Sequence, residues 1–222
     1  VGRILAKLEQ LGLTRNTVVI FTSDNGGLRL RYDLQGPLVS SNAPLREEKG
    51  TLYEGGIREP LIVRWPGVVE PGSTCAAPVS SVDFYPTLVN IAGGALPARQ
   101  PLDGLSLRVL LEQRAGLDRD AIYWHYPHYH HSTPAGAVRA GDWKLIEFFE
   151  DGRLELYKLA EDISESRNLA ASIPAKAAEL REKLAAWRRQ VNAAMPVPNP
   201  DYDPARAHEW GPPIRVRSAG RG

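Results

Sequence analysis

Two neighbouring oxygen donors, Asp24 and Asn25, follow an apolar run in the sequence VVIFTSDNGG, residues 18–27. The β-branched run predicts a buried strand, and the polar residues with Gly26 and Gly27 mark its end. Because ligands of open α/β sheets bind beyond the carboxyl ends of the strands, this turn is a candidate binding site. A carboxylate and an amide carbonyl suit Ca²⁺ or Mg²⁺ rather than a thiophilic metal. The alternative is a turn without a ligand, since Asp and Asn tolerate left-handed dihedrals.

A lysine that could bind an anion lies in a second block, PLREEKGTLYEGGIREPLIVRWPG, residues 44–67. Lys49 would supply a compact and mobile positive charge, and the alternative is a solvated loop lysine among glutamates. Glu54 and Arg58 flank two glycines in the same block. We expect this carboxylate and guanidinium to pair and to hold the glycine loop, with direct ligand contact by Arg58 as the alternative.

In this order, the two blocks resemble the type I sulfatases of the alkaline-phosphatase superfamily. The resemblance rests on a strand ending Ser-Asp-Asn-Gly, then Lys-Gly-Thr-x-x-Glu-Gly-Gly-x-Arg-x-Pro, then an apolar strand ending Trp-Pro-Gly. It implies that Asp24 and Asn25 are metal ligands, for Ca²⁺ rather than Mg²⁺, and that Lys49 contacts the sulfate and the nucleophile. The implied fold is α/β, the C-terminal part of an alkaline-phosphatase-like α/β/α domain followed by a small antiparallel sheet packed by a C-terminal helix.

The nucleophile of that family is not recognisable in these residues. Family members carry a formylglycine made from the first residue of Cys/Ser-x-Pro-x-Arg. Cys75 is followed by Ala-Ala-Pro, which is the wrong spacing, and residues 42–46, NAPLR, have asparagine at the reactive position. A Ca²⁺ site needs roughly six to eight oxygens, so Asp24 and Asn25 cannot complete one. We expect formylglycine and the other ligands in polypeptide outside this chain, and the chain alone to be inactive.

Four histidines lie close together in WHYPHYHH, residues 124–131. Zinc binding is disfavoured, because neighbouring residues of a strand point to alternate faces and three rings would not converge. The family resemblance implies instead that this loop borders the active-site cleft. We expect His128 or His131 to donate to a sugar hydroxyl or a sulfate oxygen, and the alternative is a solvated or packing role.

Composition restricts the class of protein. The chain has 27 Lys and Arg against 26 Asp and Glu, a net charge of +1, which gives no reason to expect a nucleic-acid partner. One cysteine excludes an internal disulfide framework and a zinc cluster. No apolar run approaches the roughly 20 residues of a membrane span, and Val1 begins inside a helical pattern, which suggests truncation. The family resemblance implies a periplasmic or secreted protein.

Periodicity places further elements along the chain. Helices are predicted at 4–11, 81–92 and about 172–194, and a strand at 61–65. Short strands at 122–126, 136–139, 143–149 and 154–159 are separated by turns, and Glu-Asp-Gly-Arg at 150–153 predicts a hairpin. Ser172 is the expected cap of the last helix, whose apolar stripe would cover the sheet. The predicted divisions are 1–115 for the sulfatase α/β part, 116–195 for a small α+β subdomain and 196–222 for an extended Pro-rich tail.

These observations favour an enzyme that hydrolyses sulfate esters, with a sulfated small molecule or glycan as its partner. The aromatic and histidine-rich loop 123–131 favours a carbohydrate, because such side chains stack on and hydrogen-bond to sugars. A phosphodiesterase or phosphonate hydrolase of the same superfamily is one alternative. A non-catalytic sulfatase-like fragment or binding module is the other.

Overall fold

The computed structural model describes residues 1–28 and 40–206, which form a mixed α/β structure. In chain order the regular elements are α1 (Gly2–Gln10), β1 (Val19–Thr22), α2 (Glu54–Ile57), β2 (Leu61–Arg64), α3 (Phe84–Ile91), α4 (Arg108–Leu111), β3 (Ile122–Tyr126), β4 (Ala135–Ala140), β5 (Trp143–Phe148), β6 (Leu154–Lys158) and α5 (Pro174–Gln190). None of the helices in these two ranges has the length and apolar character needed to cross a membrane.

The chain divides into two compact units, each built from two separate segments. The first unit comprises Val1–Ser23 and Pro60–Asp120, and the second comprises Asp24–Glu59 and Ala121–Gly222. All the predicted site residues therefore belong to the second unit. The predicted divisions after residues 115 and 195 stay a prediction of domain organisation.

The first unit contains the antiparallel pair of β1 and β2, in the register Val19↔Arg64. The predicted helix at 81–92 is present as a 3₁₀ turn, Ser81–Asp83, that runs into α3. Its Pro86 lies in the first turn of α3, where a backbone N–H would have no acceptor within the helix, so proline loses no hydrogen bond. The carboxylate of Asp83 accepts the backbone N–H of Ser80, which completes a capping box.

The second unit contains the predicted antiparallel sheet. Its strand order is β3-β4-β5-β6, so each strand pairs with the next one along the chain. The predicted hairpin joins β5 to β6, where Gly152 has a left-handed φ of 68° that glycine adopts without strain. The small antiparallel sheet expected from short strands and turn residues is thus confirmed.

The two faces of this sheet are covered by different parts of the chain. On one face α5 packs through Leu180 and Leu184, as its apolar stripe predicts. On the other face lie Leu52 and Tyr53, which belong to the same sequence block as Lys49. Because successive residues of a strand point to opposite faces, the middle of β5 is buried on both sides. The small sheet therefore supports the Lys49 block directly.

The start of α5 differs from the prediction in one detail. Its N-cap residue is Ile173, with no side-chain cap bond, and Pro174 occupies the first helical position. The hydroxyl of Ser172 donates to the carbonyl of Leu169 instead, 3.1 Å away. The predicted Ser172 cap is wrong because the preceding turn takes this hydroxyl as a local partner, an alternative always open to serine.

Candidate active site

The turn that carries Asp24 and Asn25 lies directly against the paired glycines of the second block. The N–H of Gly26 donates to the carbonyl of Gly56 over 3.1 Å. A Cβ added at Gly26 would lie 1.7 Å from the carbonyl oxygen of Gly55, so only glycine permits this approach. The metal-ligand candidates and the Lys49 block are thereby joined backbone to backbone.

Asn42 holds the same two segments together from the side. Its amide oxygen accepts the N–H of Gly27 at 3.0 Å. Its amide nitrogen donates to the carbonyl of Gly27 at 2.8 Å and to that of Glu47 at 3.0 Å. With its amide engaged on three backbone groups, Asn42 is a scaffold residue.

The glycine pair is also enclosed by the loop that precedes it. A Cβ at Gly55 would lie 2.3 Å from the carbonyl oxygen of Arg46, and one at Gly56 would lie 2.4 Å from that of Thr51. Glu48 and Thr51 are buried, whereas Lys49 between them is exposed. The loop is therefore fixed by its backbone and presents the ammonium group of Lys49 outward.

A buried ion cluster anchors this loop to the small sheet. Lys144 of β5 lies 2.9 Å from Glu54 Oε1 and 2.9 Å from Glu165 Oε1. Glu165 Oε2 also accepts the backbone N–H of Glu54 at 2.6 Å. Arg58 lies 3.3 Å from Glu54 Oε2, so the predicted pair of Glu54 and Arg58 forms, as the more exposed part of this cluster.

The electrostatics of the cluster differ between its two carboxylates. Burial pushes the pKa of Glu54 upward, but Lys144 and two arginines, Arg139 and Arg58, outweigh it and leave the pKa below its ordinary value. Burial dominates at Glu165, so its pKa is raised despite Lys144. Glu165 also has a left-handed φ of 51°, which is unfavourable for a residue with a side chain. Of the two carboxyls, Glu54 therefore stays anionic to the lower pH.

A second polar network attaches the loop to β6. The hydroxyls of Tyr53 and Tyr157 both donate to Glu155 Oε2, at 2.7 and 2.6 Å. Arg46 donates to the Tyr157 hydroxyl and to the carbonyl of Glu165, each at 2.9 Å, and its guanidinium lies over the Tyr53 ring. Arg46, the arginine of the NAPLR stretch, is thus occupied with the scaffold.

The histidine segment reaches the Lys49 loop at a position that the sequence did not single out. A Cβ at Gly50 would lie 2.0 Å from Nδ1 of His130. His131 Nδ1 lies 3.6 Å from Glu48 Oε1, and His128 is exposed with its ring perpendicular to that of Tyr126. Because β3 ends at Tyr126, the later histidines lie in a turn, and the alternation of a strand does not apply to them.

The side chains around Asp24 offer carboxylate and amide oxygens, which are the donor atoms that a hard divalent cation prefers. Burial and the charge of Asp24 raise the pKa of Glu59, whose Oε1 is buried and has no hydrogen-bond partner among the described residues. Two carboxylates held close together favour a bound cation. Residues 1–28 and 40–206 hold no group of three or more His, Cys, Asp or Glu side chains arranged for a metal ion. The oxygens of Asp24 and Asn25 have the donor chemistry of Ca²⁺ ligands, and their role as ligands stays a prediction.

Several residues that shape the site carry little signal in the sequence. In the sequence, Lys144 is an ordinary strand lysine and Glu165 is an ordinary loop glutamate. Both are distant in the chain from Glu54, which they contact. His130 was one histidine among several. A lysine at a position where the strand pattern expects an apolar residue was the only available hint, since Lys144 shares its face with Ile146 and Phe148.

Comparison with known proteins connects this geometry to a family. A family model described as N-sulphoglucosamine sulphohydrolase, C-terminal, matches residues 47–190. A sulfatase from Formosa agariphila is 39% identical over 87% of this chain and 38% of its own length. Human arylsulfatase A is 33% identical over 88% of this chain and 42% of its own length.

A solved structure agrees with these sequence matches. It contains a protein in complex with its substrate D-glucosamine-2-N,6-O-disulfate, superposes with a TM-score of 0.68 at 33% identity, and aligns over 85% of this chain and 37% of its own. The chain spans less than half the length of the relatives it matches. The predicted fold class is confirmed, and the chain belongs to the N-sulphoglucosamine sulphohydrolase C-terminal family, within the sulfatases of the alkaline-phosphatase superfamily.

Proposed function

We propose that the whole protein hydrolyses sulfate esters of carbohydrates and that this chain supplies part of its active site. The observation that carries the proposal is the hydrogen bond from Gly26 to Gly56, which joins the turn of Asp24 and Asn25 to the loop of Lys49. Relatives named as sulfatases, one of them bound to a disulfated glucosamine, support the reaction and the substrate class.

In the proposed site each residue has a separate task. Lys49 binds a sulfate oxygen and balances negative charge that grows as the ester bond breaks. The oxygens of Asp24 and Asn25 hold Ca²⁺, which when bound would withdraw charge from the sulfate oxygens. Because Glu54 and Lys144 fix the loop, the backbone that carries Lys49 is held in place before the ligand arrives.

We further propose that the nucleophile, a formylglycine by family resemblance, lies outside these 222 residues. The chain by itself is then inactive toward an aryl sulfate. By family resemblance, the whole protein is periplasmic or secreted. Turnover of an aryl sulfate by the isolated chain would contradict the first statement.

Binding of inorganic sulfate to the whole protein in the presence of Ca²⁺ tests the proposed function. Lys49→Ala should weaken sulfate binding without lowering the melting temperature, because Lys49 is exposed. In the whole protein, Asp24→Ala should weaken Ca²⁺ binding, measured by isothermal titration calorimetry. The half-buried lysine Lys176→Ala, on α5, is the charge-matched control. Unchanged sulfate affinity in Lys49→Ala would contradict the role of Lys49. Lys49→Ala should also lower kcat of the whole protein strongly.

A further inference from the structure

Glu165 contacts both ends of the loop that carries Lys49. Its carboxylate oxygen Oε2 accepts the backbone N–H of Glu54 at 2.6 Å, and its backbone carbonyl accepts the guanidinium of Arg46 at 2.9 Å. Lys49 lies between Arg46 and Glu54 in the chain. One buried residue therefore fastens the loop of residues 46–54 at its start and at its end.

The loop has little freedom to move between these two contacts. The N–H of Gly55 donates to the carbonyl of Arg46 at 2.7 Å, and a Cβ at Gly55 would lie 2.4 Å from the carbonyl oxygen of Glu47. Because the backbones are this close, a displacement of Glu54 must also displace residues 46 and 47. The exposed side chain of Lys49 follows two residues later, so its position depends on the same contacts.

The turn that presents Glu165 is held firmly to the sheet. The carboxylate of Asp162 accepts the N–H groups of the two residues that follow Glu165, at 3.1 and 2.9 Å. The side-chain oxygen of Asn168 accepts the N–H of Leu156, which belongs to β6, at 3.0 Å. The left-handed φ of Glu165 is unfavourable for a residue with a side chain, and such a conformation persists where the surrounding structure imposes it. The turn thus fixes the direction in which the Glu165 carboxylate points.

We propose that Glu165 is a positioning residue of the active site, which holds the loop so that the ammonium group of Lys49 meets the sulfate ester. This inference rests on the function proposed above for Lys49. Glu165 is fully buried, so it acts through the backbone of the loop and not by contact with a ligand. Lys144 lies 2.9 Å from Oε1 of Glu165 and supplies the positive charge that a buried carboxylate needs. The small sheet then has a part in catalysis in addition to its part in stability.

A double-mutant cycle in the whole protein tests this dependence on Lys49, with turnover of an aryl sulfate as the measurement. Glu165→Ala should lower kcat by on the order of 10- to 100-fold, since a misplacement of about 1 Å can cost about a hundredfold. In the Lys49→Ala background the same substitution should change kcat less than about twofold, because the group that it positions is already absent. Binding of inorganic sulfate, measured by isothermal titration calorimetry, should show the same pattern. Equal fold-losses in both backgrounds would overturn the proposal.

Two conservative variants separate the length of the side chain from its charge. Glu165→Gln keeps the length and an oxygen that accepts the N–H of Glu54, whereas Glu165→Asp keeps the charge beside Lys144 but is one methylene shorter. Positioning requires the contact with Glu54, so Glu165→Gln should retain a higher kcat than Glu165→Asp. The reverse order would contradict the proposal, even where Glu165→Ala fails to fold.

Glu147→Ala is the matched structural control. Glu147 is a buried carboxylate of β5 that pairs with Arg181 and Arg188 of α5, on the face of the sheet that α5 covers. Its removal should lower the melting temperature and leave kcat within about twofold of the wild-type value. A loss of kcat equal to that of Glu165→Ala would assign the effect to the general stability of the sheet and would overturn the proposal. Failure of the proposed function appears separately, as kcat and sulfate affinity that Lys49→Ala does not change.

Discussion

Lys144 Nζ lies 2.9 Å from Glu54 Oε1, although the two residues are 90 positions apart in the chain. Both side chains are buried, with exposed fractions of 0% and 2%. A buried charge is tolerated only when it is paired, so this contact fixes the Lys49 block to β5. The stability of the second unit and the geometry of the candidate site depend on the same ion pair.

Lys144→Met tests this dependence. The substitution keeps much of the side-chain volume but leaves the carboxylates of Glu54 and Glu165 buried without their ammonium partner. Breaking a buried pair in this way costs about 3–5 kcal/mol, which should appear in urea unfolding at pH 7. Lys158→Met is the matched control, since its partner Glu161 is exposed and little loss of stability is expected. Equal losses in both variants would show that the pair does not support the fold.

The loss caused by Lys144→Met should shrink as the pH falls from 7 toward 5. In the wild-type protein Lys144 counteracts burial at Glu54 and Glu165. Removal of Lys144 takes away a charge that lowers the pKa of both folded carboxyls, so the folded variant should bind more protons than the folded wild type. Relative to the wild type, the variant then gains stability as the pH falls. Unfolding midpoints measured across this range check the sign, and a loss that grows on acidification would contradict it.

Gly26→Ala should separate the Asp24 turn from the glycine pair. Its methyl group would lie 1.7 Å from the carbonyl oxygen of Gly55, and neither backbone can yield without moving the turn. Overpacking of this kind costs about 1–3 kcal/mol. In the whole protein, the same substitution should also weaken Ca²⁺ binding in a calorimetric titration. Gly116→Ala is the control, because a Cβ there meets no atom within 4 Å. Unaltered Ca²⁺ affinity and melting temperature in Gly26→Ala would refute the contact.

Asp83→Ala should destabilise the first unit without affecting sulfate binding. The Asp83 carboxylate is fully buried, pairs with Arg119, and accepts the N–H groups of Ser80 and Leu105. Removal of the carboxylate leaves the largely buried guanidinium of Arg119 unpaired, which should lower the free energy of unfolding by about 3–5 kcal/mol. The exposed Asp103→Ala provides the comparison, with an expected change of less than about 0.5 kcal/mol. Thermal unfolding followed by circular dichroism distinguishes the two variants.

Features encoded in short stretches of sequence were predicted well. The hairpin at 150–153, the small antiparallel sheet and the apolar stripe of α5 follow from turn residues and periodicity, which act between near neighbours. The pair of Glu54 and Arg58 follows for the same reason, since its members are four residues apart. The Ser172 cap failed because a local competitor, the carbonyl of Leu169, took the hydroxyl.

By itself, the sequence determined the family, the position of the Asp24 turn and the identity of Lys49 as a candidate anion-binding residue, because these depend on contiguous motifs. Only the tertiary structure decided that Lys144 and Glu165 hold Glu54, and that His130 rather than a neighbouring histidine packs against Gly50. The physical reason is that a buried charge or an aromatic ring acquires its partner when distant segments fold together. Periodicity and spacing reflect only the local preferences of the backbone.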